Sequence, residues 1–129
     1  MRAAFALAVC FVASSSPEAF ARQCQFETHS ICNGCAVESP VKMKRMEKSA
    51  INRWCGLDYS SALNYYTGIR IVKGFALGEL RAGRYSVRMS PLRTGHDTVV
   101  IELRGRSGRT GEPFASRVTF NVDVVENDF

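Results

Sequence analysis

The chain has 129 residues, 46% of them apolar, and a formal net charge of +5 at pH 7. That length allows one domain with a real hydrophobic core, and no apolar run reaches the ~20 residues a membrane-spanning helix requires. The positive balance favours anionic partners such as lipid headgroups, polysaccharide or acidic proteins, although it also serves plain solubility.

Residues 1–21 have the form of a secretory signal peptide. Arg2 supplies the positive start, Ala3 to Ala13 an apolar stretch, and Ala19-Phe20-Ala21 the small-x-small site that a signal peptidase cuts. The mature chain is then expected to begin at Arg22, with its charge still +5 and no transmembrane segment after cleavage. A periplasmic or secreted location follows, which makes nucleic acid a poor partner.

Of the five cysteines, Cys10 leaves with that peptide, while Cys24, Cys32, Cys35 and Cys55 remain, all within residues 22–56. In an oxidising compartment an even set of this kind forms a disulfide framework, here with three possible connectivities. Asn33-Gly34 inside Cys32–Cys35 is a strong turn dipeptide. From Ser39 two templates compete. Ser39 as N-cap, Pro40, then Met43, Met46, Ala50, Ile51 and Trp54 follow helical spacing, closing at Gly56, and lead on local pattern. Val41 and Met43 between lysines also suit an edge strand. Residues 57–63 read as a loop.

From Asn64 onward the pattern is β. Ile69 and Ile71 alternate with Arg70, and Leu77-Gly78-Glu79-Leu80 forms a short strand or bend. Tyr85, Val87 and Met89 alternate with Arg84, Ser86 and Arg88 until Pro91. Thr94-Gly95-His96-Asp97 reads as a turn, with Asp97 placed to accept hydrogen bonds from nearby amides. Val99, Ile101 and Leu103 resume the alternation, residues 104–113 read as a loop, and Val118, Phe120, Val122 and Val124 form the clearest strand. Strands separated by turns, with no helix between them, predict an antiparallel sandwich.

Residues 71–124 resemble the bacterial immunoglobulin-like domains of surface and periplasmic proteins. The resemblance rests on Leu77-Gly78-Glu79-Leu80, Tyr85 with Pro91, Gly95-His96-Asp97, Val99 to Leu103 and Val118 to Val124. The chain departs from that pattern at Phe75, where proline is usual, and at Val99, where an aromatic is common. The resemblance implies an immunoglobulin-like fold, a binding or structural role rather than catalysis, and a strand within residues 39–54.

Three constellations bear on chemistry. Cys32-Asn33-Gly34-Cys35 has dithiol-oxidoreductase spacing but lacks the following helix that lowers a thiol pKa, so structural disulfides are the better reading. The same cysteines with His29 and either Cys24 or Cys55, to which Met43 and Met46 could add soft ligands, would suit a metal only if they stayed reduced. His96 and Asp97 are adjacent and on a strand would face opposite ways, so neither they nor any serine motif forms a hydrolytic triad. The arginines stand out: Arg84 and Arg88 on one expected strand face, Arg104 and Arg117 on neighbouring strands, all suited to carboxylates or phosphates.

The sequence thus predicts an all-β, antiparallel immunoglobulin-like sandwich over residues 22–129, with a cysteine-rich N-terminal part able to hold one short helix. It predicts an exported non-enzymatic domain without catalytic residues, metal or cofactor. Its expected partner is an unknown protein or an anionic envelope component at Arg84, Arg88, Arg104 and Arg117. The alternative is a small thiol-disulfide or metal-handling protein centred on Cys32 and Cys35.

Overall fold

The computed structural model describes residues 23–27, 29–59 and 64–129. The expected signal peptide and its cleavage point lie outside these residues. The described residues form strands β1 (Cys24–Phe26), β2 (Ala36–Lys44), β3 (Cys55–Asp58), β4 (Asn64–Lys73), β5 (Gly78–Ala82), β6 (Ser86–Pro91), β7 (Gly95–Ser107) and β8 (Pro113–Val125), with no helix among them.

Two sheets result, one of five strands in the order β1-β2-β8-β7-β4 and one of three in the order β3-β6-β5. Counted from β2, the second, fifth and fourth strands pair on one sheet, and the seventh, sixth and third on the other. That is the immunoglobulin-like Greek-key arrangement. Most pairings are antiparallel, but β2 runs parallel to β8 from Ala36↔Arg117 to Lys44↔Val125.

The core follows from period-two alternation. In β8, Val118 and Phe120 are fully buried and Val122 and Val124 nearly so, while Val99, Ile101 and Leu103 of β7 are fully buried beside them. Val87 and Met89 of β6 close the core from the three-stranded sheet, and Val41 and Met43 of β2 extend it along the five-stranded one. Burying an aliphatic or aromatic side chain of this size contributes roughly 1.5–3 kcal/mol, which is what offsets the ordering cost. Phe120 is the hub of the N-terminal segment: Phe26 and His29 meet its ring edge-on, each with centroids 5.9 Å apart. The His29 Nδ1 donates to the Glu27 carbonyl, so its Nε2 accepts from the Tyr59 hydroxyl at 2.8 Å.

The helix that local spacing favours over 39–54 does not form. Its first residues are strand, because their partners are supplied by β8 along the whole of β2. Beyond Lys44, the Arg45 amide donates to Val125 and the Met46 amide to Pro91, so groups a helix would pair internally are taken by neighbouring strands. Ile51, which a helix would have turned inward, is fully exposed. Pro40 is tolerated because β1 pairs only with residues 41–43, leaving β2 a local edge at residue 40.

Smaller differences have similar causes. Leu57 belongs to β3 rather than a loop. Tyr85 is half exposed in the bend before β6. Ile71 is 41% exposed, because β4 is an edge strand with register breaks between Tyr66 and Gly68 and between Ile71 and Lys73. Of the expected turn at 94–97, Gly95 to Asp97 already belong to β7, and the loop expected over 104–113 shrinks to residues 108–112 as β7 and β8 extend into a long hairpin.

Candidate anion-binding face

The alternation that turns Ile101 and Leu103 inward turns Glu102, Arg104 and Arg106 outward on β7. Cross-strand register then places Arg70 of β4 and Arg117 of β8 on either side of Glu102. Arg104 Nε donates to Glu102 Oε1 at 2.8 Å and Arg70 Nε to the same oxygen at 3.2 Å, while Arg117 Nη2 lies 3.8 Å from Oε2. The Glu102 side chain is largely covered at 16% exposure, whereas those of Arg70, Arg104 and Arg117 are about half exposed. The hydrogen bond from Arg104 holds the Glu102 carboxyl below the usual carboxylate range; partial desolvation opposes this, and the bond from Arg70 reinforces it.

The hairpin adds Arg106, whose Nη1 donates to the Gly111 carbonyl at 3.0 Å, together with Arg109 and Glu112. Five arginines and two glutamates therefore occupy this end of the five-stranded sheet. The other end has no such cluster of cations among these residues: His96 Nδ1 lies 3.3 Å from Asp123, Asn121 donates to Glu38, and Lys73 pairs with Asp97. Asp97 does accept a backbone amide, that of Ala76 at 2.7 Å, as its position suggests.

The four arginines singled out by sequence do not share one face. Arg104 and Arg117 come together on the five-stranded sheet. Arg88 lies on β6 and is engaged by Asp58 at 2.8 Å and by the Leu57 and Val87 carbonyls at 3.0 Å. Arg84 sits in the bend preceding β6 and not on its face. Sequence reading missed Arg70 and Glu102, whose roles depend on cross-strand register. It also missed the packing of Arg53 and Arg81 on Trp54, with guanidinium carbons 4.7 and 4.2 Å from the ring centroid. Arg53 is already committed to Glu79 and Ser90, each at 2.9 Å.

The cysteines resolve into Cys24–Cys55, with Cα atoms 5.9 Å apart, and Cys32–Cys35, 5.2 Å apart. Both spacings suit disulfides. Cys24–Cys55 joins β1 of one sheet to β3 of the other. Between Cys32 and Cys35, Gly34 has φ +77° and the Cys35 amide bonds to the Cys32 carbonyl, which makes a tight type II turn. That turn is pinned to β8, since Ala115 N donates to Asn33 Oδ1 and Gly34 N to the Ala115 carbonyl. A strand follows Cys35 directly, so the helix N-terminus that activates a thiolate in dithiol catalysts is missing at this point. Among the described residues no set of three or more His, Cys, Asp or Glu side chains converges on a metal position, and no helix is long and apolar enough to cross a membrane.

No family model matches the chain, and no curated protein does. Among solved structures it is similar to the 2,6-sialyltransferase of Photobacterium sp. JT-ISH-224, solved in a ternary complex with CMP and lactose. The two align with a TM-score of 0.44 and 17% identity over 75% of this chain and 19% of the enzyme. The chain thus spans about a fifth of that protein's length.

Proposed function

We propose that this chain is an exported, non-enzymatic binding domain of the bacterial immunoglobulin-like kind, which takes an anionic partner on the hairpin end of its five-stranded sheet. The observation that carries this reading is the convergence of Arg70, Arg104 and Arg117 around one carboxylate, with Arg106 and Arg109 alongside. One glutamate cannot neutralise three guanidinium groups, and each still has exposed donors for a second oxyanion. Export is supported by the Cys24–Cys55 disulfide together with the leader-like residues 1–21.

Retention on a sulfated matrix tests the reading. Arg104→Glu with Arg117→Glu should elute at clearly lower salt and keep its Tm within a few degrees, since both side chains are on the solvent face. Arg84→Glu, off this face, should reduce retention much less. If the double variant elutes with the parent protein, the face is a solvated surface and the proposal fails.

A further inference from the structure

We propose that Glu102 is a positioning residue, holding Arg70 and Arg104 so that their terminal nitrogens present a paired fork to the acidic groups of a linear polysaccharide. The inference rests on the anion-binding reading above and assigns its partner. The geometry that points to it is the choice of nitrogen. Both arginines are held through Nε, and by one and the same oxygen, Glu102 Oε1. That contact uses the inner N–H of each half-exposed guanidinium, and the Nη1–Nη2 edge, which can grip a sulfate or carboxylate with two parallel bonds, has no hydrogen-bond partner among the described residues. Glu102 can hold this position because it is itself largely covered and flanked by Arg117 on the next strand.

The layout suits a chain of anions. Arg70, Glu102 and Arg117 lie on three adjacent strands, spanning about 10 Å across the sheet, and Arg104 and Arg106 follow Glu102 along β7 at steps of about 7 Å. A polymer with an acid group on successive sugars can meet several of these forks at once, where a single free anion meets one pair. Val72, 39% exposed at the register break in edge strand β4 and two residues along from Arg70, offers apolar surface to sugar C–H groups. The fully exposed aliphatic that would serve as a membrane-inserting tip, Ile51, is in the β2–β3 connection, away from these cations.

Glu102→Met, which removes both the charge and the acceptor oxygen at similar size, separates this idea from a bare charge patch, because the two predict opposite signs. A carboxylate about 6 Å from a bound anion repels it across water by a factor of about three, so a charge patch binds more tightly without it. Ordering two long side chains in advance is worth about fivefold to a hundredfold, so a positioning residue leaves weaker binding when it is lost. Titration calorimetry with a heparin-derived octasaccharide should show binding, weakened about fivefold by Glu102→Met and tenfold or more by Arg104→Ala, with Tm within a few degrees of the parent in both. Tighter binding by Glu102→Met would overturn the positioning role and leave the anion-binding reading standing. Binding to phosphatidylglycerol vesicles or to a glutamate-rich peptide, but not to the octasaccharide, would overturn the polysaccharide assignment alone. No binding to any of the three at low salt would overturn both.

Discussion

Asp97 ties β7 to the segment between β4 and β5 through one carboxylate. Its side chain is 12% exposed, its Oδ1 lies 2.9 Å from Lys73 Nζ, and its Oδ2 accepts the Ala76 amide at 2.7 Å. Lys73 is half exposed, so water screens that ion pair, and it contributes about 0.5 kcal/mol or less. The amide bond is the larger part, because a hydrogen bond to a charged acceptor contributes about 1.5–3 kcal/mol and its loss strands a donor. Asp97→Ala should therefore cost about 2–3 kcal/mol, and Asp97→Asn only about 1 kcal/mol, since its amide oxygen still accepts from Ala76. Each kcal/mol lowers the Tm of a domain this size by about 4–8 °C. Burial pushes the Asp97 carboxyl upward, but the bonds from Lys73, Ala76 and Thr98 outweigh it and hold the group below its ordinary value. A lowered carboxyl pKa gives stability that is present above the unfolded value of about 3.9 and lost as pH falls through the folded one. Urea unfolding read by Trp54 fluorescence should thus show a constant gap between parent and Asp97→Ala from about pH 5 to neutrality, narrowing as the pH falls below the unfolded value of about 3.9. A variant within about 0.5 kcal/mol of the parent, or a gap that widens on acidification, refutes the assignment.

Two further predictions concern the scaffold. Cys24 and Cys55 are 31 residues apart and join the two sheets, whereas Cys32 and Cys35 are 3 apart within one turn. By loop-closure entropy the paired serine substitutions should cost about 3–4 kcal/mol at the first bridge and about 2 at the second. Guanidinium unfolding that ranks them the other way would show that the short turn, not the sheet-to-sheet staple, is the stabilising one. A Cβ built on Gly56 would collide with the Val87 carbonyl oxygen of the neighbouring strand. Gly56→Ala should therefore destabilise by about 1–3 kcal/mol, and an unaltered unfolding midpoint would mean that β3 and β6 are not packed so closely.

What the sequence made legible was whatever depended on local alternation. The inward faces of β7 and β8 could be read residue by residue, and Val99, Ile101, Leu103, Val118, Phe120, Val122 and Val124 are all in the core. β2 could not, because its inward face carries Ser39, buried at 1% exposure, where alternation would call for an aliphatic. Its outward face carries Pro40, which imitates a helix start. Ile51 then extended the false helical stripe. The Arg–Glu cluster was half legible. Arg104 and Arg117 were noticed by type, but Glu102 takes on meaning only when β4 and β8 are set against β7 in register, across 32 residues for Arg70. The available hint was local: a glutamate at an outward position between Ile101 and Leu103, two residues before an arginine.

The same three strands carry both stability and the proposed binding face, and the strand period keeps the two apart. On β7 the core residues Ile101 and Leu103 flank Glu102, and on β8 Ser116 and Val118 flank Arg117, each alternate residue buried. A change on the outward set alters charge with little effect on packing, while a change on the inward set alters packing without touching a guanidinium. The arrangement also gives the arginines a rigid base. Each backbone position under Arg104 and Arg117 is bonded into a ladder and pinned from below by a fully buried neighbour, so freedom remains only in the side chains. In a loop, the backbone would have to be ordered as well as the side chains when a partner bound. On this sheet only the guanidinium stems remain to be fixed, and Glu102 already fixes two of them at Nε. A small all-β domain needs no deep pocket to bind an extended anion if its flat face holds its charges in place beforehand.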